Sequence, residues 1–222
     1  MLNKPPGKRK VNKRVPDKIW QSRDQAFRDM LAFAAALGQA DRVLLVAHFA
    51  DTLRALEERL SAQKSDFRTY ATPFEGHRLG SLAEYQPPGC ILLALAQVLP
   101  NNLPASSQAA AAGGFQIHVL VAEHHPLPSL DDRVLEFAHS LPGLSQVVFY
   151  ESLDGAFMRH FGGAKVTQLS DLLKIPEGEC ISSPLVDRSI RQAQEKVARR
   201  VANPLTADSA DQWFQQNLPG RQ

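Results

Sequence analysis

The sequence contains only two cysteines, and their spacing excludes two classes of cysteine-dependent protein. Cys90 and Cys180 lie far apart, in no zinc-binding pattern, so neither a disulfide framework nor a zinc site is expected. The chain has no apolar run long enough to span a membrane, and its basic start is not followed by the apolar stretch of a signal peptide. We therefore expect two reduced thiols and a cytoplasmic protein.

Two sequence motifs that would indicate catalysis are also missing. No G-x-x-x-x-G-K-[ST] phosphate loop occurs, so the sequence offers no cradle of that type for a nucleoside triphosphate. No G-x-S-x-G elbow occurs either, which leaves Ser129, Asp131 and His139 without the context of a hydrolase triad. The sequence therefore does not predict a serine hydrolase.

Net charge is low, and its distribution is more informative than its value. A formal charge of +2 is too small to indicate binding to nucleic acid or to a membrane. The cations are concentrated at the N-terminus: Lys4, Lys8, Arg9, Lys10, Lys13, Arg14 and Lys18. No aromatic residue that could stack on bases precedes Trp20. We predict a basic linker at residues 1–21, with nucleic-acid binding possible but disfavoured.

Four histidines are candidates for a metal site: His118, His124, His125 and His139. His124 and His125 are adjacent, and on a strand their side chains would point to opposite faces and would not share an ion. We therefore predict no metal ion, and the missing phosphate loop leads us to predict no cofactor.

Short apolar runs alternate with stretches of helical periodicity along most of the chain. Runs typical of buried strands lie at 43–49, 67–71, 90–98, 116–122 and 147–150. Helical patterns lie at 24–37, 51–60, 130–138 and 153–161. Ser22 and Gln25 fit a capping box for the first helix, and Asp51 fits the N-cap of the second. This alternation predicts an α/β fold with a mainly parallel sheet that is covered on both faces.

The last strong helical pattern covers residues 184–202. Ser183 suits its N-cap and Pro184 suits its first turn. One face carries an apolar stripe made of Val186, Ile190, Ala193, Val197 and Val201. This stripe must pack either against the same chain or against a partner. Beyond the helix, Trp213 and Phe214 are expected to anchor an otherwise polar tail.

The C-terminal third contains two recognisable motifs. The first reads FYESLDGAFMRHF from Phe149, and the second reads GECISSPLVDRSIRQAQEKVARR from Gly178. They resemble the segment of SecA, the motor ATPase of bacterial protein export, that closes its second nucleotide-binding domain and opens its helical scaffold. Upstream, Ala122-Glu123-His124-His125 resembles the family's strand ending in G-T-E-R-H, and Asn3-Lys4-Pro5 resembles the segment through which the family enters this domain.

The resemblance covers residues 3–202 and implies a fold. That fold is a RecA-like, helicase C-terminal-type three-layer α/β domain with a C-terminal helical extension. The resemblance divides the chain into a basic linker at 1–21, a RecA-like domain at 22–163, and a helical extension at 164–222 that resembles the start of the scaffold.

The chain departs from the family where SecA carries its catalytic arginines. The family has G-R-G-T-D after the third strand of this domain and Q-L-R-G-R-S-G-R-Q-G-D after the fourth, and the latter arginines neutralise the transferring phosphoryl group. Here residues 99–103 read LPNNL and residues 134–143 read VLEFAHSLPG. Arg133 lies just upstream, but phosphoryl transfer tolerates little displacement of such a group. We therefore predict that this chain is not an enzyme and does not hydrolyse ATP by itself.

A preserved fold with missing catalytic residues predicts a non-catalytic, partner-binding or regulatory module in Sec-type protein translocation. The implied partner is SecA or another Sec component, with membrane contact only through partners. The predicted contact residues lie on the last helix: Val186, Ile190, Arg191, Val197 and Arg200. Two alternatives stay open, namely half of a split translocase or helicase-like ATPase that needs a first domain in trans, and a nucleic-acid-binding helicase relative.

Overall fold

The computed structural model describes residues 14–38, 41–72, 75, 79, 89–101, 116–141, 143–161 and 178–218. The basic stretch at 1–13, nearly all of residues 72–88 and most of the stretch PNNLPASSQAAAAGG at 100–114 lie outside the described residues. In the described part, no helix is long and apolar enough to cross a membrane.

The described part of the chain contains one sheet of six parallel strands. In chain order these are β1 (Lys18–Trp20), β2 (Asp41–Ala47), β3 (Phe67–Tyr70), β4 (Ile91–Leu95), β5 (Gln116–Val121) and β6 (Leu144–Ser152). Their spatial order is β1-β6-β5-β2-β4-β3, and each neighbouring pair runs parallel. The parallel sheet predicted from the sequence is therefore confirmed.

Six helices accompany the sheet in the described residues. They are α1 (Arg23–Ala36), α2 (Ala50–Ala62), α3 (Pro128–Ser140), α4 (Ala156–Phe161), α5 (Pro184–Ala198) and α6 (Ala210–Asn217). α1 packs against β1 and β6, α2 packs against β2 and β4, and α3 packs against β6.

Burial of consecutive strand residues shows that both faces of the sheet are covered. Residues 43–47 of β2 and all of β4 are buried, whereas a strand with one wet face would alternate buried and exposed positions. These strands share one apolar core with α1, α2 and α3. The predicted α/β fold, with a parallel sheet covered on both faces, is therefore confirmed.

The ends of several elements differ from the predictions. The capping box of Ser22 and Gln25 is present at the start of α1. The prediction that Asp51 caps the second helix is wrong, because α2 begins at Ala50 with Phe49 as its N-cap. The predicted strand at 90–98 ends at Leu95 and continues as a 3₁₀ turn, Ala96–Val98.

The C-terminal helices pack back onto the α/β domain through a second apolar cluster. Its buried members come from α4, α5, α6 and the segments near them: Ile19, Phe49, Leu127, Ala156, Phe157, Met158, Ile190, Val197, Trp213 and Phe214. Ser183 caps α5, and Trp213 and Phe214 are buried as expected. The three-segment division stays a prediction, although β1 within the predicted linker belongs to the sheet.

Candidate functional site

The carboxyl ends of the central strands bring several charged and histidine side chains together. Parallel strands all end at the same edge of a sheet, which is where α/β folds place their ligands. β2 is followed at this edge by His48, β5 by Glu123, His124 and His125, and β6 contributes Glu151. These residues form the candidate site.

His124 is held between two buried carboxylates. Its Nδ1 lies 2.7 Å from Asp131 Oδ2 and its Nε2 lies 3.1 Å from Asp17 Oδ2. Asp17 also accepts a hydrogen bond from Arg14 at 3.0 Å. The His124 ring stacks on Phe149 with 4.6 Å between centroids. Two charged groups and an aromatic face therefore fix the position of this ring.

His124 carries a proton on both ring nitrogens, because an ionised carboxylate can only accept a hydrogen bond. Burial opposes the charged ring, but Asp131 and Asp17 outweigh this effect and raise the pKa of His124 to about 10. Burial also opposes the charge on Asp131, whose pKa the His124 imidazolium nevertheless lowers well below its usual value. The cluster is therefore a buried group of compensating charges.

Asp131 connects this cluster to three other elements. Its Oδ1 accepts a hydrogen bond from the backbone N–H of His125 at 3.0 Å, and His48 Nε2 lies 2.9 Å from the same oxygen without good hydrogen-bond alignment. Its Oδ2 also accepts a hydrogen bond from Gln194 Nε2 at 2.6 Å. Gln194 belongs to α5 and donates as well to the carbonyl of His125 at 2.8 Å. Asp131 thus brings α3 together with the segment after β2, the loop after β5 and α5.

Glu123 caps the start of α2. Its Oε1 accepts hydrogen bonds from the backbone N–H groups of His48 at 3.1 Å and Phe49 at 3.2 Å, and its Oε2 accepts one from the Thr52 hydroxyl at 2.6 Å. A carboxylate at this end also complements the helix dipole. The carboxylate that satisfies the start of α2 therefore comes from the loop after β5.

Glu151 sits deeper at the same edge. It accepts hydrogen bonds from the backbone N–H groups of His124 at 3.3 Å and Ser152 at 2.9 Å. Burial raises the pKa of Glu151 to about 7, against the lowering effect of His124 and these two bonds. Gly155 leaves room for this carboxylate, since a Cβ there would lie 2.8 Å from Glu151 Oε1.

His125 differs from its neighbour because its ring is neutral. Its Nδ1 accepts a hydrogen bond from the backbone N–H of Leu127 at 2.9 Å, and the ring stacks on Phe49 at 5.3 Å. Burial, together with the nearby His48, lowers the pKa of His125 to about 3. Adjacent histidines thus have different protonation states, set by carboxylates on one side and aromatic packing on the other.

A cavity of about 140 Å³ opens beside His124. Its charged lining residues are Arg23, Asp51, Glu123, His124, Glu151, Asp154, Arg159 and Asp211. Arg23 lies 3.4 Å from Asp51 Oδ2, and Arg159 lies 2.5 Å from Asp211 Oδ1. Both of the described arginines that line the cavity are therefore paired with carboxylates. Among the described residues, no group of three or more His, Cys, Asp or Glu side chains is arranged to hold a metal ion.

Comparison with known proteins gives partial matches to one family. No family model matches the chain. The chain is 42% identical over 95 residues to the protein translocase subunit SecA of Herminiimonas arsenicoxydans, a match that covers 42% of this chain and 10% of that protein. It is 38% identical over 90 residues to SecA of Dechloromonas aromatica, which covers 40% of this chain and 10% of that protein.

The matched stretch is related to SecA. It fits part of the second nucleotide-binding domain, as the sequence motifs implied, and the chain spans about a tenth of the length of these SecA relatives. Two solved structures are also similar, each with a TM-score of 0.40. The C-terminal part of the Fun30 ATPase domain is 15% identical and covers 78% of this chain and 54% of that one. The Hef helicase domain of Pyrococcus furiosus is 9% identical and covers 64% and 27%.

Residues 134–143, where the sequence predicts that the SecA arginine motif is absent, lie mostly in α3. Within it Val134, Phe137 and Ala138 are buried in the main core, and His139 is exposed. Arg133, the nearest arginine, donates hydrogen bonds to the carbonyls of Gln97 at 3.2 Å and Leu99 at 2.8 Å. Its guanidinium therefore holds α3 to the segment that follows β4.

The contact residues predicted on the last helix of this SecA-like chain have different environments. Ile190 and Val197 are 4% and 0% exposed and pack in the second apolar cluster of the same chain. Arg191 makes a bidentate ion pair with Asp132 at 2.7 and 2.9 Å. Val186 is half-buried and Arg200 is exposed. Binding of a partner by these residues stays a prediction, and Arg200 is the one of the five that is exposed.

Sequence reasoning did not assign Asp17, His48 or Gln194 to the candidate site. They come from three distant places in the chain and carry no local motif. Asp131 was considered only in a hydrolase triad with Ser129 and His139, yet the side chains that lie against its carboxylate are those of His124, His48 and Gln194. Only the packing of β1, α3 and α5 around the end of β5 brings these groups together.

Proposed function

We propose that this chain is a non-catalytic SecA-like module, in effect a pseudo-ATPase domain, that binds a protein partner of the Sec-type translocation machinery in the cytoplasm. The proposal rests on how the charged side chains at the carboxyl edge of the sheet are paired. Both arginines that line the cavity there are paired with carboxylates of the same chain, and His124 is locked between Asp17 and Asp131.

This arrangement disfavours phosphoryl transfer for a physical reason. Catalysis of that reaction depends on arginine or lysine charges that are free to stabilise the transferring group. The cavity instead presents the carboxylates of Asp51, Asp154 and Asp211 beside its two arginines. Arg133, the one arginine next to the eroded motif, is engaged by two backbone carbonyls.

The test combines a binding assay with an ATPase assay. Purified chain is titrated against immobilised SecA and against reconstituted channel subunits, and ATP turnover is measured for the chain alone and in each mixture. We expect saturable binding to SecA or to the channel, and no turnover by the chain alone.

Two results would contradict the proposal. The first is the absence of binding to both SecA and the channel subunits. The second is ATP turnover by the chain, alone or with a first nucleotide-binding domain, that is lost on Arg133→Ala; this result would support the split ATPase instead. His139→Asn is the matched control, because His139 is an exposed residue of the same helix.

A further inference from the structure

An apolar groove of about 180 Å³ runs beside the first half of α5. From α5 it is lined by Leu185, Val186, Ser189 and Ala193, and from α4 by Phe157 and Phe161. Leu185, at the edge of this groove, is 69% exposed. The groove therefore has an accessible apolar rim.

The same side of α5 becomes basic towards its C-terminal end. Residues three or four apart share one side of a helix, so Leu185, Ser189 and Ala193 are followed on that side by Lys196 and then Arg200. Arg200 still belongs to the last turn, because its N–H donates to the carbonyl of Val197 at 2.8 Å. Lys196 and Arg200 are exposed, and neither forms an ion pair with another described residue.

We propose that this face of α5 binds an acidic amphipathic helix of a protein partner, with an apolar side chain in the groove and carboxylates over Lys196 and Arg200. The inference rests on the proposed function, because it names the surface and the partner chemistry of the same module. About 16 Å separates Leu185 from Lys196 along the axis, so a partner helix of about three turns reaches both ends.

The mixed character of the surface selects a protein helix over other partners. One end is apolar and partly lined by aromatic rings, which is how grooves receive the anchor residues of an amphipathic helix. The other end offers two cations, which are too few to follow a phosphate backbone. Charge complementarity then favours carboxylates in the partner at that end.

A labelled designed peptide tests the proposal directly. The probe is an 18-residue helix with leucines on one face of its first half and glutamates on the same face of its second half. Two matched peptides carry lysines in place of the glutamates or serines in place of the leucines. Fluorescence anisotropy with the full chain is expected to give a Kd at least about tenfold lower for the acidic peptide than for either control.

Charge reversal in the protein makes the test specific. The double variant Lys196→Glu/Arg200→Glu is expected to weaken the acidic peptide about tenfold, since each exposed charge pair contributes a few-fold, and to strengthen the lysine peptide. Arg54→Glu is the matched control: Arg54 is an exposed cation of another helix, α2, and does not line the groove, so we expect less than a twofold change. Thermal melts check that each variant is folded.

Several results would overturn the inference. They are equal binding of acidic and basic peptides, no binding of any peptide, or failure of the double variant to reverse the preference. If the chain binds anionic phosphatidylglycerol vesicles and no peptide, the face is a lipid-binding surface. If the chain instead self-associates and Leu185→Ser abolishes this, the face binds a second copy. The affinity of SecA or of the channel subunits is also compared between the unaltered chain and the double variant. Equal affinity would refute this inference alone and leave the proposed function intact.

Discussion

Nδ1 of His124 lies 2.7 Å from Oδ2 of Asp131, and both side chains are almost completely buried. Asp17 approaches the other ring nitrogen at 3.1 Å, so one imidazolium bridges two carboxylates. Buried charges are retained only where partners compensate the loss of hydration. These three residues tie the segment before β1 and helix α3 to the loop after β5, at the carboxyl edge of the sheet.

Replacing His124 tests how much this cluster contributes to the stability of the fold. His124→Asn is expected to destabilise the fold by about 3–5 kcal/mol, because it leaves two buried carboxylates without their shared cation. The free energy of unfolding is measured by urea denaturation at pH 7. His139→Asn, at an exposed histidine of α3, is expected to change it by less than about 0.5 kcal/mol. Equal effects of the two variants would refute the assignment.

Alkaline pH should destabilise the protein through the same residue. The pKa of His124 is raised from about 6.5 when unfolded to about 10 when folded, so its contribution is complete below pH 6.5 and is lost as the pH rises through 10. One proton corresponds to a slope of up to about 1.4 kcal/mol per pH unit in this window. Urea denaturation from pH 7 to pH 10 measures the slope. A His124→Asn variant with an undiminished slope would contradict the prediction.

The raised pKa of Glu151 leads to a second predicted pH dependence of stability, at lower pH than that of His124. Its pKa is raised from about 4.5 to about 7, so folding favours its protonated form, and the stabilisation present below pH 4.5 is lost as the pH rises through 7. Glu151→Gln is expected to remove this fall in stability between pH 5 and pH 7. The measurement compares the unfolding free energies of both proteins across that range. Parallel curves for the two proteins would show that Glu151 does not titrate there.

Gly155 provides a steric test of the same corner. A Cβ at this position would lie 2.8 Å from Glu151 Oε1 and 3.0 Å from the Ser152 carbonyl oxygen, and the backbone oxygen has little freedom to move. Gly155→Ala is expected to cost about 1–3 kcal/mol in the free energy of unfolding. Gly38→Ala is the control, because its nearest atom, Asp41 Oδ2, lies at an ordinary 3.6 Å. Thermal or urea denaturation of the two variants gives the comparison, and a Gly155→Ala chain as stable as the unaltered one would refute the steric argument.

The elements of the fold could be predicted because each depends on a local pattern. Within the predicted run at 43–49, residues 43–47 are all apolar, as a strand buried on both faces requires, and β2 occupies 41–47 of the chain. Ser22 and Gln25 lie three residues apart, which is sufficient for a capping box. The start of α2 was misplaced because its cap comes from Glu123, a residue 74 positions away from Phe49. No local pattern in the sequence reports such a contact.

The sequence by itself determined the α/β class, the helix in the last third of the chain, and the similarity of that third to SecA. Each of these depends on periodicity or on short motifs, which are properties of neighbouring residues. Only the tertiary structure decided that His124 is charged and His125 neutral. The two rings are adjacent in sequence, but one meets Asp17 and Asp131 while the other packs on Phe49. The tertiary structure also decided that Ile190 and Val197 pack inward, while Leu185 and Lys196 remain accessible on α5. Protonation and accessibility depend on groups from distant parts of the chain, and the fold alone sets their distances.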